Sequence, residues 1–166
     1  KARRDWRRER CYKALTQGMV AIAAGDAQEA RRQARKAENL LAEPPLTMLL
    51  SAQAAQMSGD DKAASKFFEK MSERKDTKYL GIHGMLNQAI QEGDKDVALD
   101  LAEQANDLNP KTDNVSKALF ELQVQSGNWE EAEETVRKAV KDKHLDTDIG
   151  RRRRAVILYQ RSAEAE

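Results

Sequence analysis

A glycine recurs every 34 residues in this chain, at Gly25, Gly59, Gly93 and Gly127. The surrounding stretches AAGDAQEA, MSGDDKAA, QEGDKDVA and QSGNWEEA share one layout: Asp or Asn follows the glycine, and an alanine stands five residues after it. A fixed period of this length describes a repeated supersecondary unit that covers its apolar face by stacking on its neighbours. Glycine accepts the left-handed conformation that stops a helix, and Asp26, Asp60, Asp94 and Asn128 have side chains able to accept the first N–H groups of the next. Each unit therefore reads as a helix, a tight turn and a second helix.

Between the units the chain carries other breakers: EPPL at Glu43 to Leu46, RKDTK at Arg74 to Lys78, LNPKTD at Leu108 to Asp113 and HLDTDIG at His144 to Gly150. Together these signals predict helices near 2–24, 26–42, 45–58, 60–73, 78–92, 94–108, 111–126, 128–142 and 148–164. The second helices have small apolar faces: Ala30, Ala34, Ala37 and Leu40 in one, and Ala98, Ala102, Ala105 and Leu108 in another. Ala64, Phe68 and Met71, then Ala132, Val136 and Ala139, supply the other two. Phe68 is the largest of the set and reads as a core residue.

The composition suits such a helical domain, with 40% hydrophobic, 5% aromatic and 34% charged residues in 166, the charges reading as evenly spread. Lys and Arg number 29 against 28 Asp and Glu, so a net charge of +1 offers no global field to draw in nucleic acid or membrane. Cys11 is the only cysteine, which excludes an internal disulfide and a multi-cysteine zinc site. No apolar run reaches the roughly 20 residues that span a bilayer. A chain that begins at Lys1 without methionine reads as an excised fragment.

The period, the Gly-Asp turn, the alanine five residues on and Pro110 near the end of the third unit resemble tetratricopeptide repeats. The resemblance covers residues 11–146 as four repeats (11–44, 45–78, 79–112 and 113–146), after a basic lead-in at 1–10 and before a capping helix at 147–166. It implies an all-α fold: a right-handed superhelical solenoid of about four helix pairs plus the cap. The small residue usual in the middle of the first helix is present as Gly18 and Ala52 but replaced by Leu86 and Phe120, so wider packing is expected in the third and fourth pairs. The runs ALTQGMVAIAAGDAQEARRQARKAENLL, PPLTMLLSAQAAQMSGD, ALFELQVQSGNWEEA and RRRRAVIL are similar to the repeat portion of HemY-type proteins. That family is encoded with bacterial haem-biosynthesis genes and is anchored in the inner membrane by amino-terminal helices. The resemblance implies a pathway rather than a reaction.

No dinucleotide or phosphate loop, H-E-x-x-H or G-x-S-x-G is present, and neither catalysis nor a cofactor is expected. His83 and His144 form no local metal motif, and Cys11, although set among cations, has no recognisable base. Binding is the better class. In tetratricopeptide arrays the first helices line the concave face, which implies a protein-binding groove of Tyr12, Leu15, Met19 and Ile22, then Leu46, Leu49, Gln53 and Gln56. Leu80, His83, Asn87 and Ile90 continue it in the third repeat, and Asn114, Lys117, Glu121 and Val124 in the fourth. An apolar edge of a bound peptide could lie along it while Gln and Asn meet its polar groups. For each Leu or Ile of this set, packing inside the array is an equal alternative. The carboxylate clamp of tetratricopeptide co-chaperones is absent, its places being taken by Leu15, Met19, Leu50, Leu80 and Gly84.

Two basic clusters remain. The stretch KARRDWRRER sets Lys1, Arg3, Arg4, Arg7, Arg8 and Arg10 against Asp5 and Glu9. With Trp6 suited to a headgroup boundary, Arg3, Arg4, Trp6, Arg7 and Arg8 are candidates for a membrane-surface contact, although a solvated helix end has the same composition. If membrane helices precede Lys1, the positive charge expects this domain on the cytoplasmic side. Arg151 to Arg154 surround a whole helical turn, with Asp146 and Asp148 as expected partners; nucleic-acid binding lacks an aromatic platform. The sequence thus points to a non-enzymatic scaffold for protein partners, haem-biosynthesis enzymes by resemblance, at the inner membrane. The alternative is a haem or porphyrin carrier with His83 or His144 as iron ligand.

Overall fold

A computed structural model describes residues 2–41 and 45–164. Nine α-helices and no strands occur among them: α1 (Ala2–Ala23), α2 (Ala27–Leu40), α3 (Pro45–Met57), α4 (Asp61–Ser72), α5 (Lys78–Glu92), α6 (Lys95–Leu108), α7 (Asp113–Gln125), α8 (Trp129–Lys141) and α9 (Thr147–Glu164). These bounds lie within about two residues of those expected from sequence. Lys1 and the expected breaker at Glu43 and Pro44 fall outside the described residues. The fold is all-α and built from helix pairs.

The four periodic glycines explain the pairing. Gly25, Gly59, Gly93 and Gly127 have φ of +74°, +69°, +74° and +70°. At each, the glycine N–H reaches the carbonyl three residues back, as in Gly25 to Ile22 at 3.0 Å, and the next N–H reaches five back, as in Asp26 to Ala21 at 2.9 Å. This pair of bonds is the Schellman ending. The residue that closes it also opens the following helix: Asp26, Asp60 and Asp94 accept from the N–H of Glu29, Ala63 and Val97 at 2.9, 3.2 and 3.2 Å. Asn128 departs from the expectation, for its side chain makes no capping bond to α8; only its backbone takes part in the turn. Lys143, an unexpected fifth case, ends α8 at φ +58°, and His144 N–H reaches Ala139 O at 2.8 Å.

The chain divides into two compact units, residues 1–88 and 89–166, with the division inside α5. In the first unit, Cys11, Ala14, Leu15, Ala30, Ala34, Ala37 and Leu50 form one buried cluster. The missing side chain of Gly18 admits Leu50, whose Cδ2 would lie 2.6 Å from any Cβ there. A second cluster joins Met48, Ala52, Ala55, Ala64, Phe68 and Met71, so Phe68 is core as expected. Gly84 of α5 lies flat against the Phe68 ring, and Gly81 lies against the backbone of Phe68 and Ser72. Gln88 ties α5 to α4, donating to Asp61 O at 3.2 Å and accepting from Ser65 Oγ at 3.1 Å. The Cys11 thiol is buried beneath α2 near Ala37 O at 3.9 Å, a packing position rather than a reactive one.

In the second unit α6 packs on α7, α7 on α8 and α8 on α9. Phe120, Val124, Ala132, Val136, Leu145 and Ile157 form its apolar cluster, with Trp129 and Val140 against it. Phe120, at the place Gly18 holds in the first repeat, is itself a member of this cluster. Asp146 does not pair with the arginines as expected; it caps α9, accepting from the N–H of Asp148 at 2.8 Å. The arginines disperse: Arg151 pairs with Asp148 at 3.5 Å, Arg154 with Glu133 at 2.8 Å, and Arg153 lies over the Phe120 ring at 5.3 Å. Burial lowers the Arg153 guanidinium from its ordinary value.

Candidate protein-interaction surface

On α1, Tyr12 and Met19 stand two turns apart and both are exposed, Tyr12 at 65%. Leu15 lies between them but points into the alanine cluster, so it offers no free surface. On α3, which packs on α1, Leu46, Leu49, Gln53 and Gln56 share a face. Leu46 is 59% exposed, whereas Leu49 is half-buried against the Phe68 cluster. Gln53 Oε1 is buried and has no hydrogen-bond partner. Further along the first unit, Leu80 and Asn87 are exposed and His83 is half-buried. The His83 ring stacks on Tyr79 with centroids 5.8 Å apart, and its Nδ1 lies 3.5 Å from Asn87 Nδ2.

The candidates of the second unit have another character. Ile90 is exposed, and so are Asn114, Lys117 and Glu121 on α7. Lys117 and Glu121 pair with each other at 3.8 Å, which leaves little net charge on that face. Val124 is buried with Phe120 and Val136 and is core. Exposed apolar residues outside the expected set are Val20 on α1, Val97 and Leu108 on α6, and Ile149, Val156, Leu158 and Tyr159 on α9. Helical periodicity would have found Val20, which follows Met19, but gives no sign that the α9 residues stay uncovered.

The basic lead-in is helical and exposed throughout its described part. Arg3, Arg4, Trp6 and Arg7 line one shallow cleft, and Arg10 lies over the Trp6 ring at 4.5 Å. A larger cleft of about 710 Å³ follows between α1 and α2, with Arg10, Arg31, Arg32, Arg35 and Lys36 in its wall. Among the described residues, two of these cations have carboxylate partners: Arg31 meets Asp60 at 3.3 Å, and Arg32 forks onto both oxygens of Glu29 at 2.8 Å. Those bonds to Arg32 hold the Glu29 carboxyl below its ordinary value. No group of three potential metal ligands occurs among the described residues.

A family model described as HemY protein N-terminus matches residues 1–59, and a tetratricopeptide repeat model matches residues 89–151. No curated protein matches the chain. No helix among the described residues is long and apolar enough to cross a membrane. With the glycine period and the fused helix turns, these matches support a tetratricopeptide-repeat domain that resembles the HemY-type proteins.

Proposed function

We propose that the chain is a non-enzymatic scaffold that gathers protein partners, haem-biosynthesis enzymes among them, at the cytoplasmic face of the bacterial inner membrane. The pathway and the membrane come from the HemY resemblance; the binding mode comes from the residues. One observation carries it: α1 and α3 pack together and present exposed Tyr12, Met19 and Leu46, and Gln53, on the same face of α3 as Leu46, has a buried amide oxygen with no partner. An unpaired buried acceptor costs about 1–3 kcal/mol, and a peptide N–H laid along α3 removes that cost while its apolar side chains cover the leucine and tyrosine. Leu80, His83 and Asn87 on α5 belong to the proposed surface of the first unit; Ile90 and the polar residues of α7 are a separate candidate in the second unit. Arg3, Arg4, Trp6, Arg7 and Arg8 serve in this reading as a contact to anionic headgroups.

The test uses the full-length protein in its own membranes, cross-linked and affinity-purified, with Leu46→Asp and Met19→Asp beside the wild type. Both positions are exposed, so helix content stays as in the wild type. The expected result is recovery of haem-pathway enzymes with the wild type and their loss with both variants. Recovery of the same enzymes with the variants, or of none with the wild type, would refute the proposal.

A further inference from the structure

A cavity of about 370 Å³ opens among α6, α7 and α8 in the second unit, and it uses none of the expected groove residues. Its most buried polar residue is Gln123, 2% exposed. The Gln123 Nε2 donates to Thr135 Oγ1 at 3.1 Å, while Oε1 has no partner. Ser116, also in the lining, already accepts from Arg153 at 3.2 Å. Gln123 Oε1 is thus the unsatisfied buried atom of this lining.

The rim is acidic. Glu103 and Asp107 on α6, Glu131 and Glu134 on α8 and Asp142 just after it line the opening, against Lys138 as the one lysine or arginine. Glu134 is 4.0 Å from Arg137; the other four carboxylates have no ion pair among the described residues. The whole unit has the same bias: residues 89–166 hold 12 Lys and Arg against 17 Asp and Glu, a net −5, while residues 1–88 hold 17 against 11, a net +6. The charges are therefore not evenly spread, and the near-zero total conceals two opposite halves.

We propose that this cavity receives an arginine side chain from a basic segment of a protein partner. The free amide oxygen asks for a donor, and the carboxylates ask for a cation. Guanidinium meets both at once through its fork of N–H groups, and it is less strongly hydrated than an ammonium, so it enters a floor this deeply buried at lower cost. Leu119, Pro110 and Ala139 in the wall suit the methylene stem. A lone guanidinium would leave most of the rim uncompensated, which favours a segment carrying several basic residues over a small free cation. This second surface does not depend on the first-helix surface.

The test is titration of the full chain with a fluorescent, capped peptide containing four arginines, alongside its lysine and citrulline counterparts. Arginine is expected to bind several-fold more tightly than lysine, and citrulline not to bind. Gln123→Leu is expected to weaken the arginine peptide about tenfold with an unchanged or higher melting temperature, since it removes an unpaired buried acceptor. Glu103→Gln with Glu131→Gln, both at exposed positions, is expected to weaken binding and flatten its salt dependence. Arginine amide in excess is expected to displace the peptide. The proposal is overturned by equal affinity for the lysine peptide, by unchanged binding in the double carboxylate variant, or by no displacement with arginine amide. It is also overturned if Gln123→Leu binds like the wild type, which would leave the amide to an ordered water only.

Discussion

Lys143 and Gly59 answer the same backbone demand with different side chains. Both occupy the left-handed position that ends a helix, at φ +58° and +69°. A side chain there costs about 1–2 kcal/mol, offset in part because glycine loses more freedom on folding. Lys143→Gly is therefore expected to raise stability by about 0.5–1 kcal/mol, and Gly59→Ala to lower it by a similar or larger amount, both read from urea melts. Nothing lies within 4 Å of a Cβ at Gly59, so the Gly59 loss is conformational rather than steric; Gly59→Asn, which tolerates this region, should lose less than Gly59→Ala. If alanine and asparagine melt alike, backbone strain is not the cause. The caps give a parallel contrast. Asp60→Ala is expected to cost about 1 kcal/mol because Asp60 caps α4, whereas Asn128→Ala should cost much less, its side chain making no such bond. For Glu29 the sign follows from its lowered carboxyl: its contribution is present above the ordinary value of 4.5 and lost as acidification passes through the folded value. Glu29→Gln should therefore lower the melting temperature slightly at neutral pH, leave it unchanged at the strongly acid end, and so flatten the limb between them.

Among the helices, α5 and α4 fit together because α5 has no side chain where the Phe68 ring lies. Gly84→Ala drives a methyl into that ring and is expected to cost about 1–3 kcal/mol as overpacking. Pairing it with Phe68→Leu should recover part of the loss in a double-mutant cycle, whereas additive losses would mean that the ring is not the obstacle. This contact also shows where reading the sequence stops. Helix bounds, the glycine turns and three of the four expected Asp or Asn caps were legible because they are settled within about six residues of chain. The small position of the third repeat was sought at Leu86, by the period, yet the close approach is made by Gly81 and Gly84, whose role depends on a residue more than ten positions away. Leu15 and Val124 were placed on the groove by the tetratricopeptide resemblance, with packing inside the array an equal alternative for Leu15, and they are buried because of what other helices bring over them. The unpaired amide of Gln123 has no sequence signature at all.

For the molecule as a whole, a net charge of +1 makes any membrane attraction local. Replacing Arg3, Arg4, Arg7 and Arg8 by Gln should cut binding to vesicles containing anionic lipid and weaken its salt dependence, with no effect on neutral vesicles. Equal binding of the variant would reduce the basic end to a solvated helix. Haem offers the complementary check: His83 already stacks on Tyr79, so a Soret shift lost on His83→Ala is not expected, and observing one would favour a carrier over a scaffold. The joint at each periodic glycine has a further consequence, for chain length. Asp60 closes α3 with its N–H and opens α4 with its carboxylate, so no residue is left over between the two helices. One inserted residue there must break the ending or the start, and both helices lose register. Between α6 and α7, exposed Lys111 lies in a connection outside any helix, where an extra residue can bulge into solvent. Length changes should therefore be tolerated after Lys111 and rejected after Gly59, and a chain of this design can lengthen between its pairs but not within them.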